Sequence, residues 1–446
     1  MPKSFAVVGG GITGISAALA LSEAGNTVHL FEQEQSLGGK IGELRIDGRV
    51  VPSGPDAFLA RRDEVTELAT SLGLGDSLTT PVARSARIYR NNRLHPLPPN
   101  VLGVPATADL ADTGLISAEG AARAEQDLTA EDDRTQGDES VGDLVRRRLG
   151  DEVLEYLVDP LLGGINAGDS DRLSLASGVP QLDALRERSA SLITAASATI
   201  AAAPANPGPV FHGIEGGLNR LVDRAETVLL ERGVQIHFGE AALLQRLDDA
   251  WSVSNIEVDE VVITTPAYVT AELLGDIAPN AATLLHQIDY SSVGLTVLIL
   301  PPDTIDIDPS ISGVLVPRKC GLHVTAVSFA SHKWPALADD GSQILRVSVG
   351  RRTDDRWSHL HDDEVVQVIR NDLSEIFDTI IPEGPASLTR WNRSLPQYDV
   401  GHTQLVAAID ECTADTSGLH LTGAWRNGLG LPACVAAGKA SATTQT

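Results

Sequence analysis

The chain has 446 residues, a length that calls for two or three domains rather than one. Hydrophobic residues make up 42% and charged residues 21%, which supplies a packed core inside a water-facing surface. A net charge of −26 and a pI near 4.7 repel polyanions, so neither nucleic acid nor anionic membrane is an expected partner. Cys320, Cys412 and Cys434 lack C-x-x-C spacing, which excludes a disulfide framework and fits a reducing cytoplasm. The histidines show no metal-ligand spacing, and no metal is expected. No apolar run reaches bilayer length. A strand that begins by residue 4 leaves no room for a signal peptide, and a chain stopping at Thr446 just after its last helix suggests no membrane tail.

Ser4 to Val8 is an apolar run with β-branched valines, the pattern of a buried parallel strand. It leads into Gly9-Gly10-Gly11-Ile12-Thr13-Gly14, a G-x-G-x-x-G at Gly9, Gly11 and Gly14. A helical pattern with Ile15, Ala18, Leu19 and Leu21 on one side follows and closes at Gly25. Thr27 to Phe31 then reads as a second buried strand that ends on Glu32. Gly9 allows the tight turn, Gly11 lets a pyrophosphate approach, and Gly14 lets helix pack on strand. Free amides at the helix start face the phosphates. Glu32 comes close to the spacing of about 20 residues expected of the ribose-binding acid. A glycine-rich turn without ligand is the plainer alternative, but strand, glycines, helix, strand and acid in this order favour a dinucleotide site.

Ser36-Leu37-Gly38-Gly39-Lys40 is a glycine doublet with a flanking cation, which spacing alone also allows as a plain turn. Gly42 to Val51 alternates around Asp47-Gly48, a hairpin signal. Asp63 to Leu72 returns to a helical period. The chain turns again at Tyr89-Arg90-Asn91-Asn92-Arg93, and the proline-rich Leu94 to Pro99 excludes helix. From there to about residue 203 the pattern is mostly helical, with Ser140 and Asp143 as a capping box and a second helix restarting at Asp151. Ala205 to Pro209 reads as a linker. Gly216-Gly217-Leu218 opens a helix, and Val234 to Phe238 and Glu260 to Thr264 read as strands. Val293 to Leu300, Val314 to Val316, His323 to Phe329 and Gln343 to Val349 follow as strands without helices between them, which predicts an antiparallel sheet. Asp362 or Asp363 is the expected cap of the next helix. Leu419 to Gly423, the loop to Gly430 and the apolar helix from Leu431 form a second nucleotide-like half. The predicted fold class is α/β, with a discontinuous Rossmann-like dinucleotide domain (1–86, 205–265 and 386–446), a helical insertion (87–204) and an antiparallel-sheet substrate domain (266–385). No second G-x-G-x-x-G occurs in mid-chain, so one cofactor that takes electrons from the protein's own substrate is expected.

Gly9 to Gly14, Glu32 and Leu37-Gly38-Gly39-Lys40 resemble the FAD-binding amine-oxidase superfamily. Gly54-Pro55-Asp56-Ala57-Phe58, Leu94 to Pro98, Pro160 to Asp169, Leu395 to His402 and Gly428 to Cys434 resemble its protoporphyrinogen/coproporphyrinogen oxidase family, most closely the soluble branch of monoderm bacteria. That resemblance covers nearly the whole chain. It implies FAD-dependent oxidation of coproporphyrinogen III to coproporphyrin III in haem biosynthesis, with O2 reduced to H2O2, in the cytoplasm and without stable membrane insertion. A transient contact with a ferrochelatase is a further implication. Carried over by position, the FAD contacts are Gly9, Gly10, Gly11, Ile12, Thr13, Gly14, Glu32, Gln33, Gly38, Gly39, Lys40, Gly54, Pro55, Asp56, Ala57 and Ala242. Trp391, Leu429, Gly430 and Leu431 would lie near the flavin ring, and the carbonyl of Gly164 near the substrate. The amides opening the last helix would stabilise the negative charge of reduced flavin. Ser36 replaces an arginine common before the Leu-Gly-Gly, and Ser53 stands where a charged residue is usual.

Other features take plainer readings. His402 reads as a structural hydrogen-bonder, Cys434 as a packing thiol, residues 192–203 as a packing helix and Glu131 to Asp133 as a solvated loop. Arg61, Arg62, Lys333 and Arg346 are candidate propionate contacts, with salt pairing as the plainer reading of each. Three rival functions stay open: a protoporphyrinogen IX oxidase, a flavin amine oxidase, against which an aromatic content of 4% argues, and a non-catalytic flavoprotein that hands on porphyrin.

Overall fold

The computed structural model describes residues 2–132, 137–204 and 208–443. Asp133 of the acidic run and positions 205–207 of the expected linker lie outside the described residues.

Five parallel strands form one sheet in the order Gln235–Phe238, Thr27–Glu32, Ser4–Val8, Glu260–Ile263, Leu419–Leu421. Both faces are covered, so its strands carry apolar residues at successive positions. Phe5, Val7 and Leu30 pack on one face with the helices Ile12–Glu23, Asn219–Glu231 and Leu431–Thr443. Ala6, Val8 and Phe31 pack on the other with Trp251, Leu274, Leu285 and Ile409. This is the expected Rossmann-like sheet, assembled from segments far apart in the chain.

A second sheet has seven strands, in the order Ala386–Pro396, Tyr290–Leu300, Gln343–Val349, Val324–Phe329, Ile311–Leu315, Ser85–Arg90, Arg93–Pro96. Its pairs are antiparallel except Ile311–Leu315 with Ser85–Arg90, which run parallel. The sheet reaches beyond 266–385 on both sides. Ala386–Pro396 is an outer strand with arginines at 390 and 393, and its polar sequence carries no period-two signal. The helix Asp362–Phe377 packs Val365, Ile369 and Leu373 against one face of this sheet. The cap of that helix is His361, whose amide donates to Glu364 Oε2 at 2.8 Å, rather than Asp362 or Asp363.

A third body of helices lies between residues 118 and 201. Ser140 caps one of them by accepting from the Asp143 amide at 3.0 Å. The alanine-rich helix Leu192–Ala201 buries Leu192, Ile193, Ala195 and Ala196 in this core. Among the described residues, no helix is long and apolar enough to cross a membrane, and no cluster of side chains could hold a metal ion.

Candidate functional site

The glycine-rich turn sits at the carboxyl end of Ser4–Val8. Gly9 has φ +107°, and a Cβ there would lie 2.7 Å from Thr264 Oγ1. A Cβ at Gly14 would overlap the Gly9 carbonyl oxygen, so the helix rests directly on the turn. A Cβ at Gly11 would meet nothing within 4 Å, which leaves open space where a phosphate would approach. The helix begins after Gly11 with no side-chain cap and no acid in its first turn, so its amides and positive dipole end face that space. Glu32 stands beside the turn, with Oε2 accepting from the Gly10 amide at 2.7 Å and Oε1 from the Glu34 amide at 2.9 Å. The Gly239 amide donates to the Glu32 carbonyl at 3.0 Å and ties the loop to buried Ala242 to the same strand end. Gln33 is exposed next to it.

The glycine doublet packs on this turn. Gly38 donates to the Gly10 carbonyl at 2.9 Å, and a Cβ at Gly39 would lie 3.2 Å from Gly11 Cα. Lys40 is reached by solvent, yet protein crowds it enough to pull its ammonium pKa below the usual range. That combination describes a cleft wall. The uncapped helix start, the open space at Gly11 and the held carboxylate fit a dinucleotide: diphosphate on the amides, ribose on the acid.

Gly54 lies so close to this loop that a Cβ would overlap the Lys40 carbonyl oxygen. The Asp56 carboxylate is occupied by protein partners. It accepts from Lys333 Nζ at 2.5 Å and Trp334 Nε1 at 3.0 Å, with Arg346 Nη1 at 3.1 Å. Burial works to raise its pKa, but Arg346, Lys333 and the hydrogen bonds outweigh it and hold the carboxyl well below the usual range. Any ligand contact from 54–57 therefore falls to backbone, Pro55 and Ala57. Arg346 also donates to the Gly54 carbonyl, and Trp391 Nε1 donates to the Ser53 carbonyl at 2.8 Å. Of the four candidate cations, Lys333 and Arg346 are thus committed to Asp56, Arg62 pairs with Glu64, and Arg61 is exposed.

The last helix completes the group. A Cβ on Gly438 would overlap the Thr13 carbonyl oxygen, which brings Leu431–Thr443 against Ile12–Glu23. Leu429, Gly430 and Leu431 lead into it and are at least partly exposed. Their loop is anchored by Tyr398, whose hydroxyl donates to the Ala424 carbonyl and accepts from the Gly428 amide at 2.7 Å. His402 is buried, stacks on Tyr398 with centroids 4.2 Å apart, and has Nε2 2.8 Å from the Trp425 carbonyl. Burial pushes its imidazole pKa down. Cys434 is buried, and that burial pushes its thiol pKa up.

Gly164 belongs to the other side. It lies in the helix Asp159–Asn166, and a Cβ would sit 3.4 Å from Leu315 of the seven-stranded sheet. Beyond it the backbone turns left-handed at Ala167 (φ +45°), and the carbonyls of Asn166, Ala167 and Gly168 are tied down. Gln397 Nε2 donates to Asn166 O at 3.0 Å, Ser291 Oγ to Ala167 O at 2.9 Å, and Arg318 Nη2 to Gly168 O at 3.1 Å. Arg318 is in turn paired with buried Asp159 at 2.7 Å. Sequence reasoning assigned no role to Arg318, Asp159, Ser291 or Gln397, because their partners come from distant segments. Only the Pro160 to Asp169 and Leu395 to His402 motifs hinted at them.

The flavin-containing amine oxidoreductase family matches residues 12–444. The chain is 34% identical over 450 residues to a coproporphyrinogen III oxidase of Mycobacterium bovis, covering 98% of this chain and 96% of that one. It is 32% identical over 464 residues to a coproporphyrinogen III oxidase of Bacillus subtilis, covering 98% and 97%. A solved structure from Exiguobacterium sp. 255-15, which carries a provisional protoporphyrinogen oxidase name, superposes with a TM-score of 0.89 at 30% identity, over 100% of this chain and 98% of that one. With an open glycine-rich turn on a Rossmann-like sheet and a large second sheet, the chain belongs to the flavin-containing amine oxidoreductases, is closely related to the bacterial coproporphyrinogen and protoporphyrinogen oxidases, and is a flavin-dependent oxidase.

Proposed function

We propose that this protein oxidises coproporphyrinogen III to coproporphyrin III in haem biosynthesis, with FAD as cofactor, O2 as acceptor and H2O2 as product, in the cytoplasm. The observation that supports this reading is similarity along essentially the full length to coproporphyrinogen III oxidases, at 32–34% identity over 98% of the chain. When bound, the flavin would supply two-electron redox chemistry between the porphyrinogen and O2. The chain's own residues bind and orient. Gly9 to Gly14 receive the diphosphate on backbone amides, and Glu32, fixed by the Gly10 and Glu34 amides, accepts the ribose hydroxyls. Gly38, Gly39 and Lys40 close over the diphosphate, Ala242 meets the adenine side, and Gln33 flanks the ribose. The backbone of Gly54 to Ala57, Trp391 and Leu429 to Leu431 surround the ring. Positive amides at the start of Leu431–Thr443 favour the charge of the reduced ring. The Gly164 carbonyl, on a segment whose neighbouring carbonyls are tied down, accepts a hydrogen bond from a ring N–H. Since the product gains aromaticity, orientation dominates the protein's task.

In this reading the division into segments 1–86, 87–204, 205–265, 266–385 and 386–446 describes function: the hairpin at 85–96 and the strand 386–396 extend the substrate side into the flanking segments. Purified flavin-loaded protein mixed aerobically with each porphyrinogen tests the proposal. A porphyrin Soret band appearing faster with coproporphyrinogen III supports it. No porphyrin from either substrate refutes it. Protoporphyrinogen IX as the better substrate favours the second reading, which the Exiguobacterium structure supports.

A further inference from the structure

Arg393 stands on the outer strand Ala386–Pro396 with φ +44°, a left-handed conformation that is costly for a long side chain. The strand opposite is irregular here, between the pairs Ser291–Leu395 and Val293–Trp391. The Arg393 amide donates to Ser292 Oγ at 2.9 Å and holds the kink. This backbone arrangement lays the guanidinium over the Tyr268 ring, 3.7 Å from its centroid. Tyr268 is itself braced edge-on by Tyr290 at 5.1 Å. In a chain with 60 acidic residues against 34 basic ones, no described carboxylate pairs with Arg393. Stacking occupies one face of the guanidinium and leaves its N–H edge free, the edge that receives a carboxylate or phosphate in bidentate fashion.

Its place in the fold joins it to the cleft. Two residues earlier, Trp391 reaches the Ser53 carbonyl. Tyr268 lies in the first turn of the helix after Thr264, whose hydroxyl contacts the Val8 and Gly9 carbonyls at 3.0 Å. Tyr290 accepts from the Ala267 amide at 2.8 Å. Arg393 therefore stands beside the carboxyl edge of the parallel sheet, where ligands of such sheets bind.

We propose that Arg393, held on Tyr268 by a kinked strand, is an anion-binding position of the cleft, and that its ligand is a carboxylate of the substrate. The carboxylate source rests on the porphyrinogen reading above; the anion site does not. The test is equilibrium binding of coproporphyrin III, and separately of FAD, to wild type, Arg393→Gln, Arg393→Lys and Arg393→Gly, each checked for thermal stability. Arg393→Gln should weaken coproporphyrin III binding about tenfold or more, from the loss of one charge-assisted contact. Arg393→Lys should recover part of it. Arg393→Gly relieves the left-handed strain, so it should be at least as stable as wild type while binding as weakly as the glutamine variant, which separates lost recognition from lost fold. FAD affinity should stay within twofold. A fall in FAD affinity with unchanged porphyrin binding makes the anion a dinucleotide phosphate and overturns the substrate assignment. No change in either ligand overturns the anion site. Wild-type protein that binds no porphyrin refutes the porphyrinogen reading instead, and the FAD arm then decides the site.

Discussion

Asp56 offers the sharpest test of how the two halves are joined. Its side chain is 12% exposed, and its partners Lys333 and Arg346 are 16% and 8% exposed. Asp56→Asn keeps the shape but removes the one negative charge between buried Arg346 and largely buried Lys333. Breaking a buried pair in this way costs about 3–5 kcal/mol, because a desolvated charge is left uncompensated. At an unfolding entropy of about 2.1 cal/mol/K per residue over 446 residues, this lowers Tm by about 3–5 °C. The pH dependence has a definite sign. The folded carboxyl titrates below its unfolded value of about 3.9, so its contribution is present above that pH and is lost as pH falls towards the folded pKa. The gap between wild type and Asp56→Asn should therefore be constant from roughly pH 6 to 8 and narrow below about pH 4. Calorimetry of the flavin-loaded proteins across this range is the assay. The triple change of Asp56, Lys333 and Arg346 to Leu, Met and Met should recover much of the loss, as buried ion clusters replaced whole often do. A single variant within about 1 °C of wild type at pH 7 would refute the clamp.

Gly11→Ala places a methyl where no protein atom lies within 4 Å, so it should leave Tm of the apoprotein unchanged yet abolish flavin retention on gel filtration. Retained flavin would mean that nothing binds against that backbone. Glu32→Ala removes charge-assisted contacts worth about 1.5–3 kcal/mol and should purify largely flavin-free; full occupancy would remove Glu32 from the site. Coproporphyrinogen III should exceed protoporphyrinogen IX in kcat/KM by about tenfold, the worth of one extra carboxylate contact, and the ratio should shrink at high salt. Equal values in one buffer would count against the proposed substrate.

Much of the nucleotide half was legible in the chain because its signals are local. Ser4 to Val8, the three glycines and Glu32 each need only their neighbours to declare a buried strand, a tight turn and an acid at a strand end, and the structure turns the chain at Gly9, leaves open space at Gly11 and packs Gly14 on the Gly9 carbonyl. The hairpin about Asp47-Gly48 and the Ser140 cap were equally readable, being set by turn and cap chemistry within four residues. Pairing between distant segments was not. Ala386–Pro396 has too polar a sequence to announce a strand and gains that state by hydrogen bonding to Tyr290–Leu300. Ile311–Leu315 runs parallel to Ser85–Arg90 only because the chain between them leaves and re-enters the sheet. The same holds for charge. Asp56 read as a cofactor contact from its motif, whereas the fold brings Lys333, Trp334 and Arg346 to it from far along the chain and turns its carboxylate inward. Local pattern fixes which backbone conformations are cheap. Which side chains meet is settled by long-range packing, where burying a charge is tolerable only if its counter-charges arrive with it.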